Sequence, residues 1–427
     1  MLSPDTPMVM IMQYRTVPKN GDKLSVLGFG CMRLPERNGR IDPKAAAEQI
    51  HHAIDNGVNF IDTAMPYHYG ASEPFIGKIL EGEYRESVKL CTKLPPWSVK
   101  KRDDMDDLLN SQLMRLRTDH LDYYLVHNLN NDNWSRMMDL DILDFLDSIK
   151  QDGRATNVGF SFHGDIKLFK QIVDAYDWTA CLVMYNYMDT QNQAGSEGVR
   201  YASDRDIAVF VMEPLRGGNL AGRVPDKVRA IWDSAEVKRS PAEWAFRWVW
   251  DHPEVTMLLS GMNRMEHVKE NIRIANDVLP NSLSQGERDL ISRAREQYFS
   301  LTKIGCTGCG YCMPCKFGVN IPACFETYNS KYLFGDGRAR MNYALRVGGM
   351  MSGRATASMC TNCGKCMTHC PQHLQIPDLL KDVRDEFEGR TFGPFVWSAS
   401  RYLALTRWRN IRRARRSAEN FMRGDAQ

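Results

Sequence analysis

A chain of 427 residues in which 43% are apolar and 25% charged has the make-up of a globular protein with a sizeable core, which excludes disorder over most of its length. No apolar run approaches the ~20 residues that a membrane span needs, and the N-terminal stretch lacks a basic region and a small-residue cleavage site, so the sequence reads as cytoplasmic. Net charge is +3, but from Arg401 onward eight arginines face only Glu419 and Asp425, which puts +6 on the tail and about −3 on the rest; the body of the protein has no electrostatic case for nucleic acid.

Lys19-Asn20-Gly21-Asp22 is a tight-turn signal and predicts an opening β-hairpin. A regular rhythm follows. The β-rich runs LSVLGFG, VNFIDTA, SVKLCTK, LDYYLVH, ATNVGFS, CLVMYNY, IAVFVMEP and VTMLLSG alternate with helical stretches such as DPKAAAEQIHHAIDNG, DDMDDLLNSQLMRLRTD, DILDFLDSIKQDG and SPAEWAFRWVWDH. Eight strands alternating with helices close most simply into a parallel (β/α)₈ TIM barrel. An open doubly wound sheet would need a glycine fingerprint after its first strand, which Gly28-Phe29-Gly30 does not supply. Trp244, Phe246, Trp248 and Trp250 share one predicted helix and read as packing residues. The stretch Ser284–Leu301 reads as a connecting helix. The expected division is a barrel over residues 1–300, a cysteine-rich domain over 301–390 and a tail over 391–427.

In such a barrel the reactive groups sit at the C-terminal ends of strands. Asp62 ends VNFID, Tyr67 follows in the loop, Lys93 ends SVKLCTK and His127 ends LDYYLVH. A phenol is a poor acid at neutral pH, and an adjacent ammonium lowers its pKa. Lys93 is the candidate ammonium, Asp62 the carboxylate that keeps it charged, and His127 the imidazole that orients a carbonyl oxygen toward Tyr67. His68 and Tyr69, beside Tyr67, are candidates for substrate contact.

The residues D-T-A-M-P-Y (Asp62–Tyr67), T-K (Thr92-Lys93) and L-V-H (Leu125–His127) resemble, in order and spacing, the tetrad of the aldo/keto reductase family, and the similarity extends over roughly residues 14–300. Supporting matches are Gly28–Arg33, Gly153–Ser161, Tyr185-Asn186, Pro214–Gly218 and Glu270-Asn271. The resemblance implies that Tyr67 is the general acid, with Lys93, Asp62 and His127 in the roles above. It also implies NADP(H) across the barrel mouth, with Leu215, Gly217 and Gly218 at the pyrophosphate, Glu270 and Asn271 at the adenine, Arg264 at a 2′-phosphate, and Ser161 in the cofactor site. Around the nicotinamide, where many members carry Asn, Gln and Tyr, this chain offers Phe162, Leu182 and Met212.

Nine of the twelve cysteines lie between Cys306 and Cys370. Cys360, Cys363, Cys366 and Cys370 followed by Pro371 form C-x2-C-x2-C-x3-C-P, the spacing of bacterial-type ferredoxins. A structural zinc site is the competing reading, but zinc takes four ligands, usually from separated C-x2-C pairs. Cys306, Cys309, Cys312 and Cys315 form a second array with a shorter last interval. Two 4Fe-4S clusters are expected. If ligands cross over, one cluster takes Cys306, Cys309, Cys312 and Cys370, and the other takes Cys360, Cys363, Cys366 and Cys315. Cys324 is the spare and reads as a buried structural thiol. The helical patterns around the arrays resemble helical dicluster ferredoxins.

From Arg401 to Met422 the apolar positions recur at helical spacing between arginines, predicting a basic amphipathic helix. It is suited to its own domain, to an acidic electron-transfer partner or to an anionic membrane surface. The expected function is an oxidoreductase that interconverts a small carbonyl compound and an alcohol while clusters exchange single electrons with a ferredoxin- or flavodoxin-like partner; a flavin is left open, although no motif specifies one. The alternative is a redox-sensing or electron-relay protein whose barrel binds nucleotide with little turnover.

Overall fold

The computed structural model describes residues 12–402, apart from 132, 223, 307–311, 336, 351–352, 369 and 371–373. Eight parallel strands close a barrel in sequence order: β1 (Leu27–Gly30), β2 (Phe60–Asp62), β3 (Lys89–Leu94), β4 (Leu121–Leu129), β5 (Ala155–Phe162), β6 (Ala180–Met184), β7 (Ala208–Met212) and β8 (Val255–Ser260). Strand β8 pairs back onto β1, with Leu258 opposite Leu27. Each expected strand lies within or overlaps its apolar run, because strands of a parallel barrel are buried on both faces and need no polar alternation.

Residues of alternating parity fill two cores. Phe60, Cys91, Tyr123, Leu125, Leu182, Phe210, Met257 and Leu259 pack with one another inside the barrel, while Ile61, Tyr124, Val126, Cys181, Val183 and Val211 pack outward with the helical layer. The period of two then carries the inward face from Phe60 to Asp62, from Cys91 to Lys93 and from Leu125 to His127, one step nearer the C-terminal end. The expected hairpin is present, with Tyr14–Thr16 antiparallel to Lys23–Ser25. Its Val17 and Leu24 belong to the barrel-filling core, and Tyr123 donates to Asp22 Oδ2 at 2.7 Å, so the hairpin closes the N-terminal end.

Helices Pro43–Asp55, Pro241–Trp250 and Gln285–Ser300 are capped by Asp42, Ser240 and Ser284, whose side chains accept from backbone N–H groups of the first turn. Trp244, Phe246 and Trp250 are fully buried, in agreement with a packing role. Trp244 shares a core with Trp232, Tyr187, Tyr298 and Leu333, and Leu333 comes from the cysteine-rich region. That region is helical, with Ile321–Phe334, Ala339–Arg346 and Ile376–Phe387 around a core of Phe325, Tyr343, Val383 and Phe387. Tyr343 is its central pin: it stacks on Phe387 at 4.8 Å, donates to Glu388 Oε1 at 2.6 Å and accepts from the Ala357 N–H at 2.8 Å. The helix expected from Arg401 to Met422 falls outside the described residues from 403 onward.

Gly159 faces into the barrel, where an added Cβ would lie 2.3 Å from the Ala180 carbonyl oxygen and 2.7 Å from Leu125 Cδ2. Gly159→Val is therefore expected to cost at least about 1–3 kcal/mol through overpacking against backbone, read as a lower urea midpoint by near-ultraviolet circular dichroism; an unchanged midpoint would contradict this packing.

Candidate active site and cluster cavity

At the C-terminal mouth, Lys93 is the hub. It is 1% exposed and Asp62 3%, and its Nζ donates to Asp62 Oδ1 at 2.5 Å, to the Thr63 carbonyl at 2.9 Å and to Tyr67 Oη at 3.4 Å. Burial is the largest single effect and works against the ammonium, but the Asp62 carboxylate together with Tyr67 and Cys91 outweighs it and holds the Lys93 pKa above its ordinary value. Behind the strand, Thr92 Oγ1 and Gln112 Nε2 both donate to Glu73 Oε1 at 2.7 Å, Arg115 Nε donates to Glu73 Oε2 at 2.7 Å, and Gln112 Nε2 also donates to the Lys93 carbonyl at 3.0 Å. This buried network fixes the end of β3.

Tyr67 departs from expectation in one respect. Lys93 acts on the phenol in the lowering direction, but burial is the larger effect and the pKa is raised to about 12. Tyr67 thus remains a protonated phenol at neutral pH, hydrogen-bonded to a fixed cation. The His127 ring stands edge-on to it, with centroids 6.3 Å apart at 83°. Burial, then Lys93 and His163, hold the His127 pKa well below the usual imidazole value, so the ring is neutral and offers one donor and one acceptor. Its Nδ1 is buried without a hydrogen-bond partner among the described residues.

The loop carrying Tyr67 is strained and pinned. His68 and Tyr69 have φ of 50° and 57°, a left-handed conformation uncommon in side-chain-bearing residues. The Leu34 N–H donates to His68 Nε2 at 3.2 Å, and His68 Nδ1 meets Glu36 Oε1 at 2.9 Å. Both ring nitrogens are committed to the fold, so His68 is a latch and not a free contact for substrate, whereas Tyr69 is 51% exposed. Trp97, which sequence reasoning passed over, stands at the mouth with its ring centroid 5.1 Å from that of His127. An aromatic three residues after the last apolar position of β3 was the available signal.

The residues expected at a nucleotide divide. Gly217 and Gly218 follow β7 with φ of 68° and 95°, and an added Cβ at Gly218 would meet nothing within 4 Å, which suits close backbone approach by a ligand. Leu215 is half-buried beside them, and Arg264 is exposed at the start of helix Met265–Ala275. Glu270 instead accepts from Ser240 Oγ at 2.6 Å, and Asn271 Nδ2, 4% exposed, donates to Ser260 Oγ at 3.1 Å. Those two are occupied by the fold, while the glycines and Arg264 fit a dinucleotide. Ser161 faces the mouth and its Oγ accepts from the Asn128 N–H at 2.7 Å. Phe162 points the other way, fully buried and 5.0 Å from the Phe169 ring. The expectation that it lies beside a nicotinamide is corrected by strand parity. Leu182 lies within the barrel filling and Met212 packs at its edge.

In the helical region a cavity of about 370 Å³ is lined by Cys312, Cys315, Cys360, Cys363 and Cys366 together with Phe317, Ile321, Pro377 and Leu380. Cys315 from the first array thus meets three cysteines of the second. Burial raises the Cys366 thiol, and the nearby Cys360, Cys363 and Cys315 sulfurs raise it further. No three described His, Cys, Asp or Glu side chains converge on one ion; the five cysteines instead share the wall of one cavity. Cys306 and Cys370 pack half-buried against the same core, whereas Cys309 lies outside the described residues. Cys324 is fully buried, in contact with Tyr343 Oη at 3.7 Å, and burial pushes its thiol up to about 12, consistent with a structural role.

The cysteine-rich region also meets the loop after β7. Arg346 Nη2 donates to Glu326 Oε2 at 2.7 Å. Burial is the largest single effect and opposes the Arg346 charge, but Glu326, the nearby Glu213 and Cys324 together outweigh it, and Arg216 adds to the forces that keep Glu326 ionised. Among the described residues no helix is long and apolar enough to cross a membrane.

Residues 26–284 match the profile of the aldo/keto reductase family, and residues 305–376 match that of the 4Fe-4S dicluster domain. The uncharacterized oxidoreductase YrpG of Bacillus subtilis is 24% identical over 322 residues, which cover 63% of this chain and 96% of YrpG. The NADH-specific methylglyoxal reductase of Escherichia coli is 24% identical over 303 residues, covering 59% of this chain and 90% of that protein. Among solved structures, the holo form of aldo-keto reductase AKR11C1 from Bacillus halodurans superposes with a TM-score of 0.57 at 24% identity, over 66% of this chain and 96% of that one, which shows a shared barrel fold.

Proposed function

The chain belongs to the aldo/keto reductase family, carries a 4Fe-4S dicluster domain and is an oxidoreductase, and from that premise we propose that it interconverts a small carbonyl compound and an alcohol at the barrel mouth, with NADP(H) as hydride carrier and the clusters as a one-electron port. The observation that carries this reading is the chain from Asp62 through Lys93 to the Tyr67 hydroxyl. In the direction of reduction, Tyr67 gives its proton to the carbonyl oxygen, and the Lys93 ammonium, hydrogen-bonded to Tyr67 Oη, stabilises the phenolate left behind. Asp62 keeps Lys93 charged. The neutral His127 donates a hydrogen bond to the same carbonyl oxygen and orients it toward Tyr67.

A nicotinamide dinucleotide supplies the hydride when bound; the open backbone at Gly218, the left-handed Gly217 before it and the exposed Arg264 support it, with Leu215 and Ser161 alongside. Glu270 and Asn271 support it less, being engaged with Ser240 and Ser260. In the region we assign to residues 301–390, Cys360, Cys363, Cys366 and Cys315 are one ligand set, supported by their place on a shared cavity that Cys312 also lines, and Cys306, Cys309, Cys312 and Cys370 are the complementary set. A bound cubane supplies reversible one-electron storage. Exchange of those electrons with a ferredoxin- or flavodoxin-like partner follows from the fusion of such carriers to a hydride-transfer barrel.

Tyr67→Phe removes the proton donor and is expected to lower kcat by roughly 10²–10⁴-fold. Because the acid form exists below the Tyr67 pKa of about 12, the wild-type reduction rate should show no loss from this group as pH rises from about 6 to 9. A Tyr67→Phe enzyme with unchanged turnover would refute the assignment. For the clusters, Cys315→Ser is expected to remove or alter one of the two cluster signals in anaerobic electron paramagnetic resonance, whereas Cys324→Ser leaves both intact. Equal behaviour of the two variants would refute the crossed ligand set.

A further inference from the structure

The turns that carry cysteines to the cavity also set two lysines and a phenylalanine on the exposed part of its wall. The Gly318 N–H donates to the Cys315 carbonyl at 2.8 Å and closes a turn with Lys316 and Phe317 at its centre. The Met367 N–H donates to the Gly364 carbonyl at 3.0 Å and closes a second turn, with Lys365 and Cys366 at its centre. Each lysine is thus the chain neighbour of a cavity cysteine, held on a hydrogen-bonded turn. Lys316, Phe317 and Lys365 all line the cavity, and both lysines are exposed. Phe317 is 36% exposed, with the Lys316 ammonium 5.9 Å from the centre of its ring. Asn362 and Gly364 have left-handed φ of 59° and 71°, and Cys363, which they flank, lies at the surface.

The two ammonium groups are uncompensated. Lys381 pairs with Asp378, Arg384 with Asp385 and Lys331 with Glu386, whereas neither Lys316 nor Lys365 has a carboxylate within ion-pair distance among the described residues. Charge is also divided along the chain. Residues 301–390 hold eleven Lys and Arg against seven Asp and Glu, whereas residues 1–300 hold 36 against 43. An acidic partner is therefore repelled by the barrel and drawn to the cysteine-rich region. Salt confines such attraction to about 8 Å at physiological ionic strength, so the cations that decide where the partner lands are those on the landing surface itself.

We propose that Lys316, Phe317 and Lys365 form the docking surface for an acidic ferredoxin, seated beside the exposed Cys363. The inference rests on the one-electron exchange of the proposed function and gives it a place on the molecule. Electron tunnelling falls steeply with distance, and Cys363 is the exposed member of its ligand set, Cys315, Cys360 and Cys366 being half-buried. One electron crosses with no bond made or broken: the reduced ferredoxin is oxidised, and the centre held by these cysteines is reduced. Carboxylates of the partner meet the two ammonium groups, and the Phe317 ring supplies an apolar contact between charged contacts. A surface this small suits a carrier that must leave after each electron.

The test uses the full-length, cluster-loaded protein under anaerobic conditions, with a purified acidic 4Fe-4S ferredoxin as the probe. Zero-length carbodiimide coupling joins lysine amines to carboxylates. In the wild type it is expected to link the ferredoxin to Lys316 and Lys365, as read by mass spectrometry, and links confined to other lysines overturn the inference. By titration calorimetry at low salt, Lys316→Gln/Lys365→Gln is expected to raise Kd at least about tenfold and to flatten its salt dependence, with iron content and cluster potentials unchanged. The charge-matched Arg412→Gln/Arg413→Gln is expected to leave Kd within about twofold. Equal weakening by both variants, or an unchanged Kd in the lysine variant, overturns the inference. Tighter binding of an acidic flavodoxin under the same conditions overturns the choice of a ferredoxin. If the wild type still oxidises reduced ferredoxin in any of these cases, the one-electron port stands without this docking surface; a wild type that neither binds nor oxidises it overturns both.

Discussion

A lysine at 1% exposure remains charged only beside a carboxylate, and the Asp62–Lys93 pair is the constraint on which the mouth of this barrel depends. Removing one partner of such a buried pair costs about 3–5 kcal/mol, because the survivor is left uncompensated. The pair ties β2 to β3 and donates onward to Tyr67. That geometry is backed by the Glu73–Gln112–Arg115 network on one side and by the His68 latch to Glu36 on the other. Rigidity bought in this way lets a phenol whose pKa lies near 12 face a carbonyl with its developing charge already matched by a fixed cation.

The two working regions are joined on one side of the barrel. Asp62, Tyr67, Lys93 and His127 lie on β2 to β4 and the loop after β2, whereas Leu215, Gly217, Gly218 and Arg264 follow β7 and β8. The cysteine-rich region meets the latter side, through Leu333 in the core with Tyr187 and Trp244 and through Glu326 and Arg346 near Arg216 and Glu213. In the proposed function this arrangement joins the domain that carries the one-electron port to the side of the barrel that carries the dinucleotide loops.

Much of this was legible in the sequence, for identifiable reasons. Parallel barrel strands are buried on both faces, so each one reads as a continuous apolar run, and polar residues at the ends of such runs stand out. Asp62, Lys93 and His127 are visible for that reason, and the cluster cysteines are visible because their spacing is local. Properties set by partners distant in sequence were not legible. The inward or outward facing of Phe162 depends on the parity of the whole strand. The commitments of Glu270 to Ser240 and of Asn271 to Ser260, and the outweighing of Lys93 by burial at Tyr67, depend on packing. The meeting of Cys315 with the second cysteine array was foreseen only as one pairing of ligands, because it joins residues 45 apart in sequence.

The central claim is that barrel and clusters form one redox unit, and the anaerobic visible absorption spectrum tests it most directly. Addition of NADPH to the oxidised, cluster-loaded protein is predicted to bleach the cluster band, and dithionite then completes the reduction. A band that dithionite bleaches but NADPH leaves unchanged would contradict the account.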